Sequence, residues 1–230
     1  MPEQYTPTRG RRFKNAIYAQ FARISKALAS PHRIELVELL AQSPRSVETL
    51  GRLADMSLAN TSAHLQVLRA AGLVVATKRG LFVTYQLADA TVADLLLAIR
   101  RTAEGRLAEV ERISRELLAE HRQLEPVDVE ALRRRVRDGE VTLLDVRPSE
   151  EFEAGHIPGA VSVPLVELAK RLERLAKRKE VVAYCRGPYC ILAVEAVTLL
   201  RKKGFKAVRL GDGVLEWSAN GLGLEATGTE

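Results

Sequence analysis

The chain has 230 residues, a formal net charge of +6 and two cysteines. This length suits one large or two ordinary domains, and no apolar run reaches the roughly 20 residues that a membrane-spanning helix needs. Two cysteines close together in one loop do not form the disulfide framework of a small secreted protein, so we expect a soluble, cytoplasmic protein with no membrane partner.

The net positive charge lies in the N-terminal half. Residues 1–123 contain 18 Lys/Arg and 12 Asp/Glu, whereas residues 124–230 contain 17 of each. A basic half joined to a neutral half suggests that the first half meets a polyanion such as nucleic acid, although a solvated basic face would have the same composition. We therefore predict two domains, 1–123 and 124–230, that meet at Leu124-Glu125-Pro126, where proline ends a long helical pattern.

The first predicted elements are helices. A helical pattern begins near Arg12, and Ser30-Pro31 supplies an N-cap and a first-turn proline for a second helix through Leu40. A short helix over 47–54 precedes a helix from Ser57 to about Ala71, with Gly72 as its stop. Two short helices joined by a tight turn form the unit that places its second helix in the major groove of DNA.

A predicted β-hairpin follows these helices. The β-prone runs 73–78 and 81–87 are separated by Arg79-Gly80, so basic residues stand at the tip of the hairpin. A helix-turn-helix followed by such a hairpin is a winged helix, and Lys78 and Arg79 would reach phosphates or a minor groove.

Two segments of this half carry a family resemblance. Lys26-Ala27-Leu28-Ala29-Ser30-Pro31-His32-Arg33 and Thr61-Ser62-Ala63-His64-Leu65-Gln66-Val67-Leu68-Arg69-Ala70-Ala71-Gly72-Leu73-Val74 resemble the ArsR family of dimeric bacterial repressors over roughly residues 15–100. The resemblance implies that the helix from Ser57 is the recognition helix, with outward positions that include Asn60, Thr61, Ser62, His64 and Gln66. Small polar side chains can read base edges or bind phosphates, but any of them, His64 included, could also be an ordinary solvent-facing residue.

Metal sensing by the usual sites of that family is not expected. Relatives bind metals through cysteines in the first helix of the helix-turn-helix or through His and Asp on the final helix. Val47-Glu48-Thr49-Leu50-Gly51 contains no cysteine, and the helix after Ala88 has no histidine until His121. We therefore predict no metal site and no cofactor.

The helix after Ala88 carries a seam of mostly apolar residues in steps of four and three. Its positions are Val92, Leu96, Ile99, Ala103, Arg106, Val110, Ile113 and Leu117. Such a seam indicates helix pairing, either with the helix's own domain or, as its length favours, with a second copy in a two-fold dimer.

Strands and helices alternate in the C-terminal half. We predict strands over 141–147 and 160–164, a helix over 165–178, a strand that ends at Cys185, a helix over 190–202 and a strand over 207–210. This alternation is typical of a parallel sheet with helices on both faces. The fold class is thus a mainly helical winged helix-turn-helix followed by an α/β domain.

Both cysteines lie in the loop Cys185-Arg186-Gly187-Pro188-Tyr189-Cys190. This loop leads from the end of a buried strand to the start of a helix, a place where open α/β sheets bind ligands. Loop N–H groups, the helix dipole and the charge of Arg186 all favour an anion, so we expect the pKa of Cys185 to be lowered. The alternative is that Cys185 is a small buried hydrophobic residue.

The second half also resembles a known family. Leu143-Leu144-Asp145-Val146-Arg147, Glu151-Phe152, Gly155-His156-Ile157-Pro158-Gly159-Ala160, the cysteine loop and Gly211-Asp212-Gly213 with Trp217 are similar to the rhodanese family over about residues 126–225. The resemblance implies that Cys185 is the nucleophile that accepts a sulfane sulfur and that the N–H groups of the loop over Gly187, Pro188 and Tyr189 cradle the persulfide. It also implies that Asp145, Arg147 and His156 are structural and that Trp217 belongs to the core.

Two residues of the loop keep alternative interpretations. Arg186 would stabilise the incoming anion or is a solvated loop charge. Cys190 is either a resolving thiol, able to form a disulfide or a sulfur-bridged link with Cys185, or a small residue packed in the first turn of the helix.

Together these features predict a dimeric transcriptional repressor that binds double-stranded DNA and responds to a small sulfur donor, thiosulfate or a persulfide, through Cys185. One alternative is a sulfurtransferase enzyme whose DNA-binding half only localises it. Another is a general thiol-redox repressor that peroxide would also trigger.

Overall fold

The computed structural model describes residues 8–80, 82–119 and 129–227. The chain divides into two compact units, Met1–Leu96 and Leu97–Glu230. The predicted seam at Leu124-Glu125-Pro126 and the residue His121 lie outside the described residues. No helix within the described ranges is long and apolar enough to cross a membrane.

The first unit is a bundle of short helices with a small antiparallel sheet of strand order β1-β3-β2. Its elements are α1 (Arg9–Leu28), α2 (Pro31–Gln42), β1 (Arg45–Ser46), α3 (Val47–Leu53), α4 (Leu58–Ala70), β2 (Val74–Arg79), β3 (Phe82–Leu87) and the first residues of α5 (Ala90–Arg106).

Side chains from each part of this unit meet in one core. The side chains that are fully buried include Leu36, Leu50, Leu65 and Leu68, and Tyr85 of β3 is only 3% exposed. The N-caps Ser46 and Ser57 accept hydrogen bonds from the N–H groups of their third following residues, which fixes where α3 and α4 begin. The predicted winged helix is thereby confirmed.

The second unit is an α/β domain with a parallel sheet of strand order β5-β4-β6-β7. After the rest of α5, its elements are α6 (Ala108–Ala119), α7 (Val129–Arg137), β4 (Val141–Asp145), α8 (Ser149–Ala154), β5 (Val161–Ser162), α9 (Leu165–Arg171), a 3-10 turn (Leu172–Arg174), β6 (Glu180–Tyr184), α10 (Ile191–Lys202), β7 (Ala207–Arg209) and α11 (Val214–Ala219).

The sheet is covered on both faces, as predicted. Neighbouring strand residues such as Leu144 and Leu143 point to opposite sides of the sheet. Leu144 packs with Leu168 of α9 and the apolar face of α10, and Leu143 packs with Leu132 of α7 and Trp217 of α11. Alternation along each strand thus supplies two cores, one per face.

One predicted helix is interrupted. The pattern from Val92 to Leu117 suggested a single helix, but the structure ends α5 at Arg106 and begins α6 at Ala108. Gly105 lies next to the break, and glycine weakens a helix because it has no side chain to restrict the unfolded backbone. The short strand β1, which pairs with β3, was not predicted because two residues carry no alternation pattern.

Candidate functional site

The cysteine loop lies at the carboxyl end of β6, as the strand pattern predicted. Cys185 directly follows β6, and Cys190 is the N-cap residue of α10. The Cys185 thiol is 2% exposed, whereas Cys190 is half-buried. The Cys185 Sγ lies 3.5 Å from the carbonyl oxygen of Cys190, so the loop brings its two ends together.

The two thiols do not have the acidity that the sequence suggested. Burial raises the pKa of Cys185 well above its ordinary value, against our expectation, because desolvation outweighs the N–H groups of Gly187 and Ala193. A hydrogen bond from Cys185 instead lowers the pKa of Cys190 to about 7. The first proton of the pair is therefore lost most readily at Cys190.

Arg186 is held by a carboxylate. Its guanidinium donates to both carboxylate oxygens of Glu151, with a closest distance of 2.7 Å, and the Glu151 side chain is fully buried in α8. This bidentate pair fixes the loop to α8 and offsets much of the charge of Arg186. The sequence placed Arg186 beside Cys185 but gave no sign of this partner, since the two partners are 35 residues apart.

A close backbone approach shapes the other side of the loop. A Cβ atom on Gly213 would overlap the carbonyl group of Arg186 and the nitrogen of Gly187. Glu216 of α11 accepts from the N–H of Gly213 at 2.9 Å, which fixes this turn beside the loop. Glycine at position 213 is therefore required by the fit of the loop against the start of α11.

Arg209 is a functional candidate that sequence reasoning missed. It ends β7, is 5% exposed and donates from Nη1 to the carbonyl oxygen of Pro188 at 2.9 Å. Its Nε has no hydrogen-bond partner among the described residues. A run such as Ala207-Val208-Arg209-Leu210 predicts a strand but not that its arginine turns inward under a loop.

The second half of α5 also contacts the loop, and both belong to the second compact unit. Arg100 donates to Glu216 and lies with its guanidinium carbon 5.9 Å from the centre of the Tyr189 ring. The Tyr189 hydroxyl donates to Glu104 at 2.7 Å. The sequence gave no sign that the helix after Ala88 would meet the cysteine loop.

The residues that the rhodanese resemblance marked as structural are buried in the scaffold. Arg147 donates to Asp145 at 2.6 Å and to the carbonyl oxygen of Gly155 at 2.8 Å, and both side chains of this ion pair are fully buried. The His156 ring stacks on Phe152 with 3.6 Å between ring centres. Trp217 is buried in the core, as predicted.

The candidate DNA-binding side chains of α4 differ in their exposure to solvent. Asn60 and Gln66 are exposed, and Ser62 and His64 are half-exposed. Thr61 does not point outward, contrary to the prediction, because its hydroxyl donates to the carbonyl oxygen of Ser57 at 2.9 Å and its side chain fills the space beside Gly51. Thr61 therefore packs α4 against α3.

The wing presents one predicted basic side chain. Lys78 of β2 is exposed, and Gly80 turns the hairpin with a φ of 62°. The side chain of Arg79 lies outside the described residues. On α4, the His64 ring lies 5.5 Å from that of His32, and burial together with the charges of Arg33 and His32 lowers the pKa of His64.

Metal ligands are not grouped in the parts of the chain that the structure describes. Within residues 8–80, 82–119 and 129–227, no three His, Cys, Asp or Glu side chains are placed to hold a metal ion.

Two known domain families match the chain. Residues 28–76 match the family described as Helix-turn-helix domain, and residues 128–220 match the family described as Rhodanese-like domain. Both family resemblances are thereby confirmed.

Individual relatives cover either the whole chain or one part of it. The chain is 43% identical over 216 residues to the HTH-type transcriptional regulator Rv0324 of Mycobacterium tuberculosis. The match covers 92% of this chain and 93% of that protein. It is 31% identical over 102 residues to a sulfurtransferase of Allochromatium vinosum, covering 44% of this chain and 94% of that protein. Among solved structures, the homodimeric winged helix-turn-helix DNA-binding domain of a Mycobacterium bovis protein is 35% identical, with a TM-score of 0.40, over 46% of this chain and 94% of that domain.

Proposed function

Because this chain belongs to the family of HTH-type transcriptional regulators, we propose that it is a DNA-binding repressor whose affinity for DNA responds to sulfane sulfur carried by Cys185. The observation that carries the proposal is the placement of both thiols in one loop that α5 contacts. A regulator of this kind acts where the DNA is, which for a bacterial repressor is the cytoplasm.

The closeness of the two cysteines supports a sulfur-loading step, since the Cys185 thiol donates to the carbonyl oxygen of Cys190. The Cys190 thiolate, which forms near pH 7, takes the proton of Cys185, and the Cys185 thiolate then attacks the outer sulfur of a donor. With thiosulfate, a bond forms from the Cys185 Sγ to the outer sulfur, the donor S–S bond breaks and sulfite leaves with the electron pair. Cys185 then carries a persulfide anion.

The same pair supports a resolving step that needs no outside oxidant. The Cys190 thiol attacks the Sγ of Cys185, the persulfide S–S bond breaks and the outer sulfur leaves with the proton as hydrosulfide. The product is a Cys185–Cys190 disulfide. The persulfide, which carries the added sulfur, and the disulfide, which has released it, are the two product states that could alter the loop.

A dimer is supported by α1. Phe13, Ile17, Tyr18 and Phe21 share one side of this helix and are exposed, with Phe13 at 70% and Phe21 at 63%. An exposed apolar stripe of this kind marks a protein interface, and a two-fold pair of winged helices would present two recognition helices to a palindromic site. A second copy of this chain is thus the proposed occupant.

Intact-mass measurement after treatment of the reduced chain with a persulfide donor tests the sulfur step. We expect the mass of one sulfur atom on the wild-type chain, or the loss of two hydrogens once the disulfide forms. Cys185→Ser should take up no sulfur, and Cys190→Ser should take it up more slowly and never form the disulfide. Equal loading of Cys185→Ser would contradict the assignment of Cys185.

A sulfurtransferase enzyme is the second candidate, because the sulfurtransferase of A. vinosum is matched over 94% of its length. Turnover of thiosulfate with cyanide as acceptor, undiminished in Cys190→Ser and without any change in DNA affinity, would favour the enzyme. A DNA response to peroxide equal to that to sulfane sulfur would instead favour a general thiol-redox repressor.

A further inference from the structure

The geometry points to Arg209 as the counter-cation of the cysteine loop, the group that stabilises the anionic sulfur formed there, a role that rests on the proposed function. Arg209 reaches the loop from β7 and donates from Nη1 to the carbonyl oxygen of Pro188 at 2.9 Å. This places its guanidinium under the middle of the loop that both cysteines bound.

The burial of Arg209 leaves its charge without an ordinary partner. The residue is 5% exposed, and its Nε has no hydrogen-bond partner in the described part of the chain. A buried cation is costly unless an anion or a set of hydrogen bonds compensates it. An anion formed within the loop would supply that compensation.

Three other charged side chains at the loop have partners among the described residues. They form these pairs: Arg186 with Glu151, Arg100 with Glu216, and Glu104 with the Tyr189 hydroxyl. Asp212 directly precedes Gly213 in the chain, and burial raises its pKa. Among the described residues, no carboxylate forms an ion pair with Arg209.

The electrostatic coupling between Arg209 and the thiols is mutual. Burial lowers the pKa of Arg209, while negative charge on Cys185 and Cys190 acts in the opposite direction. The cation must favour the anionic loop by the same free energy by which the anion favours the cation. Arg209 therefore acts on the cysteines as a fixed positive charge. Arg186 anchors the loop to α8 and is a second cation that lowers the pKa of Cys190.

Four variants of the full chain separate charge from packing. Arg209→Gln and Arg209→Met remove the charge, and the methionine keeps an apolar chain of similar length in case glutamine is not tolerated. Arg209→Lys keeps the charge. Arg201→Gln is the matched control, because Arg201 also donates to a backbone carbonyl of β7, that of Ala207 at 2.7 Å.

The readout is the thiolate absorbance and the alkylation rate as a function of pH, with circular dichroism to establish folding. We expect both charge-removing variants to shift the first thiol ionisation upward by about one pH unit, and hence to slow alkylation at pH 7 about fivefold, because the wild-type midpoint already lies near that pH. Arg209→Lys and Arg201→Gln should remain close to wild type. An unshifted ionisation in a folded charge-removing variant, or an equal shift in Arg209→Lys, would overturn the role of the charge.

This test uses no DNA and no sulfur donor, so its result is independent of the sulfur response. A shifted titration in a protein that takes up no sulfur would uphold Arg209 as the counter-cation and remove the proposed function. An unshifted titration in a protein that loads sulfur would do the reverse.

Discussion

The sulfur atoms of Cys185 and Cys190 have different surroundings, and this difference gives the two thiols different acidities and different proposed roles. Burial raises the pKa of the Cys185 thiol, while Cys190 lies half-buried at the start of α10 with a pKa lowered to about 7. A loop with one acidic thiol and one buried thiol can move a proton between them before either reacts.

The acidity of the pair has a measurable consequence. Alkylation of the wild-type chain should rise through a midpoint near pH 7, because the thiolate of Cys190 forms there. In Cys190→Ser, the remaining thiol has a pKa raised by burial, so alkylation at pH 7 should fall at least about tenfold. Alkylation of Cys190→Ser at the wild-type rate would contradict this division of roles.

Gly213 is the residue whose side chain, if it had one, would disturb the loop most directly. In Gly213→Ala the new Cβ overlaps the backbone of Arg186, so we expect a loss of about 1–3 kcal/mol in the free energy of unfolding and slower sulfur uptake. Chemical denaturation measures the first effect. Gly223→Ala is the control, since a Cβ there meets no atom within 4 Å, and an equal loss in both variants would sink the explanation.

The cysteine loop could be predicted residue by residue because its members are contiguous in sequence. The sequence shows a pair of thiols, Cys185 and Cys190, with the cation Arg186 between them, directly after an apolar strand. Arg209 and Glu151 could not be found in this way, since each joins the loop only after β7 and α8 have folded against it. The raised pKa of Cys185 also depends on burial, which the loop's polar composition did not suggest.

At the scale of elements, periodicity predicted most of the helices and strands, and boundaries were set by caps. Ser57 and Gly72 marked the limits of α4 within one residue of the observed helix and its turn. The prediction for Thr61 was wrong because its outward position was inferred from its polarity alone. A buried threonine hydroxyl can donate a hydrogen bond to a backbone carbonyl oxygen of the preceding helical turn, here that of Ser57.

The stripe on α1 makes an element-scale prediction about assembly. Phe21→Glu would place a charge in the proposed dimer interface, so sedimentation should report a monomer at concentrations where the wild-type chain is a dimer. Val166→Glu, at a position on α9 that is 86% exposed, controls for the added charge. A dimer in Phe21→Glu would show that α1 does not form the interface.

The wing makes a separate prediction. Lys78→Ala removes an exposed cation from β2, so DNA affinity should fall by a similar factor on all sequences and the salt slope should drop by about one. Fluorescence anisotropy at several salt concentrations measures both. Gln66→Ala, which changes an exposed polar residue of α4, should instead alter the preferred sequence, and an unchanged salt slope in Lys78→Ala would exclude a phosphate contact.

At the scale of the whole molecule, α5 is the element that both compact units share. The division falls between Leu96 and Leu97, within this helix, and the second half of the helix contacts the loop through Arg100 and Glu104. Under the proposed function, a change in the loop would act on the second half of α5, which contacts it. The contact of α5 with the loop was not predictable, because the two segments lie about 85 residues apart in the sequence.

This route predicts variants that load sulfur without responding to it. Tyr189→Phe removes the hydroxyl that donates to Glu104, and Glu104→Gln removes the negative charge of the carboxylate that accepts this hydrogen bond. We expect normal sulfur uptake by intact mass but a DNA affinity that changes less than about twofold on loading, because the hydrogen bond to the charged Glu104 that carries the coupling is gone. Glu109→Gln on α6 is the control, and a full response in both loop variants would place the coupling elsewhere.

The most direct test uses one DNA fragment that the reduced chain has selected from a random-sequence pool. The affinity of the protein for this fragment is measured before and after sulfur loading. Anisotropy gives the affinity and intact mass gives the sulfur content of each sample. We predict a change in affinity of at least about fivefold that accompanies the added sulfur and is absent in Cys185→Ser. Equal affinity of the reduced and the fully loaded protein would contradict the account.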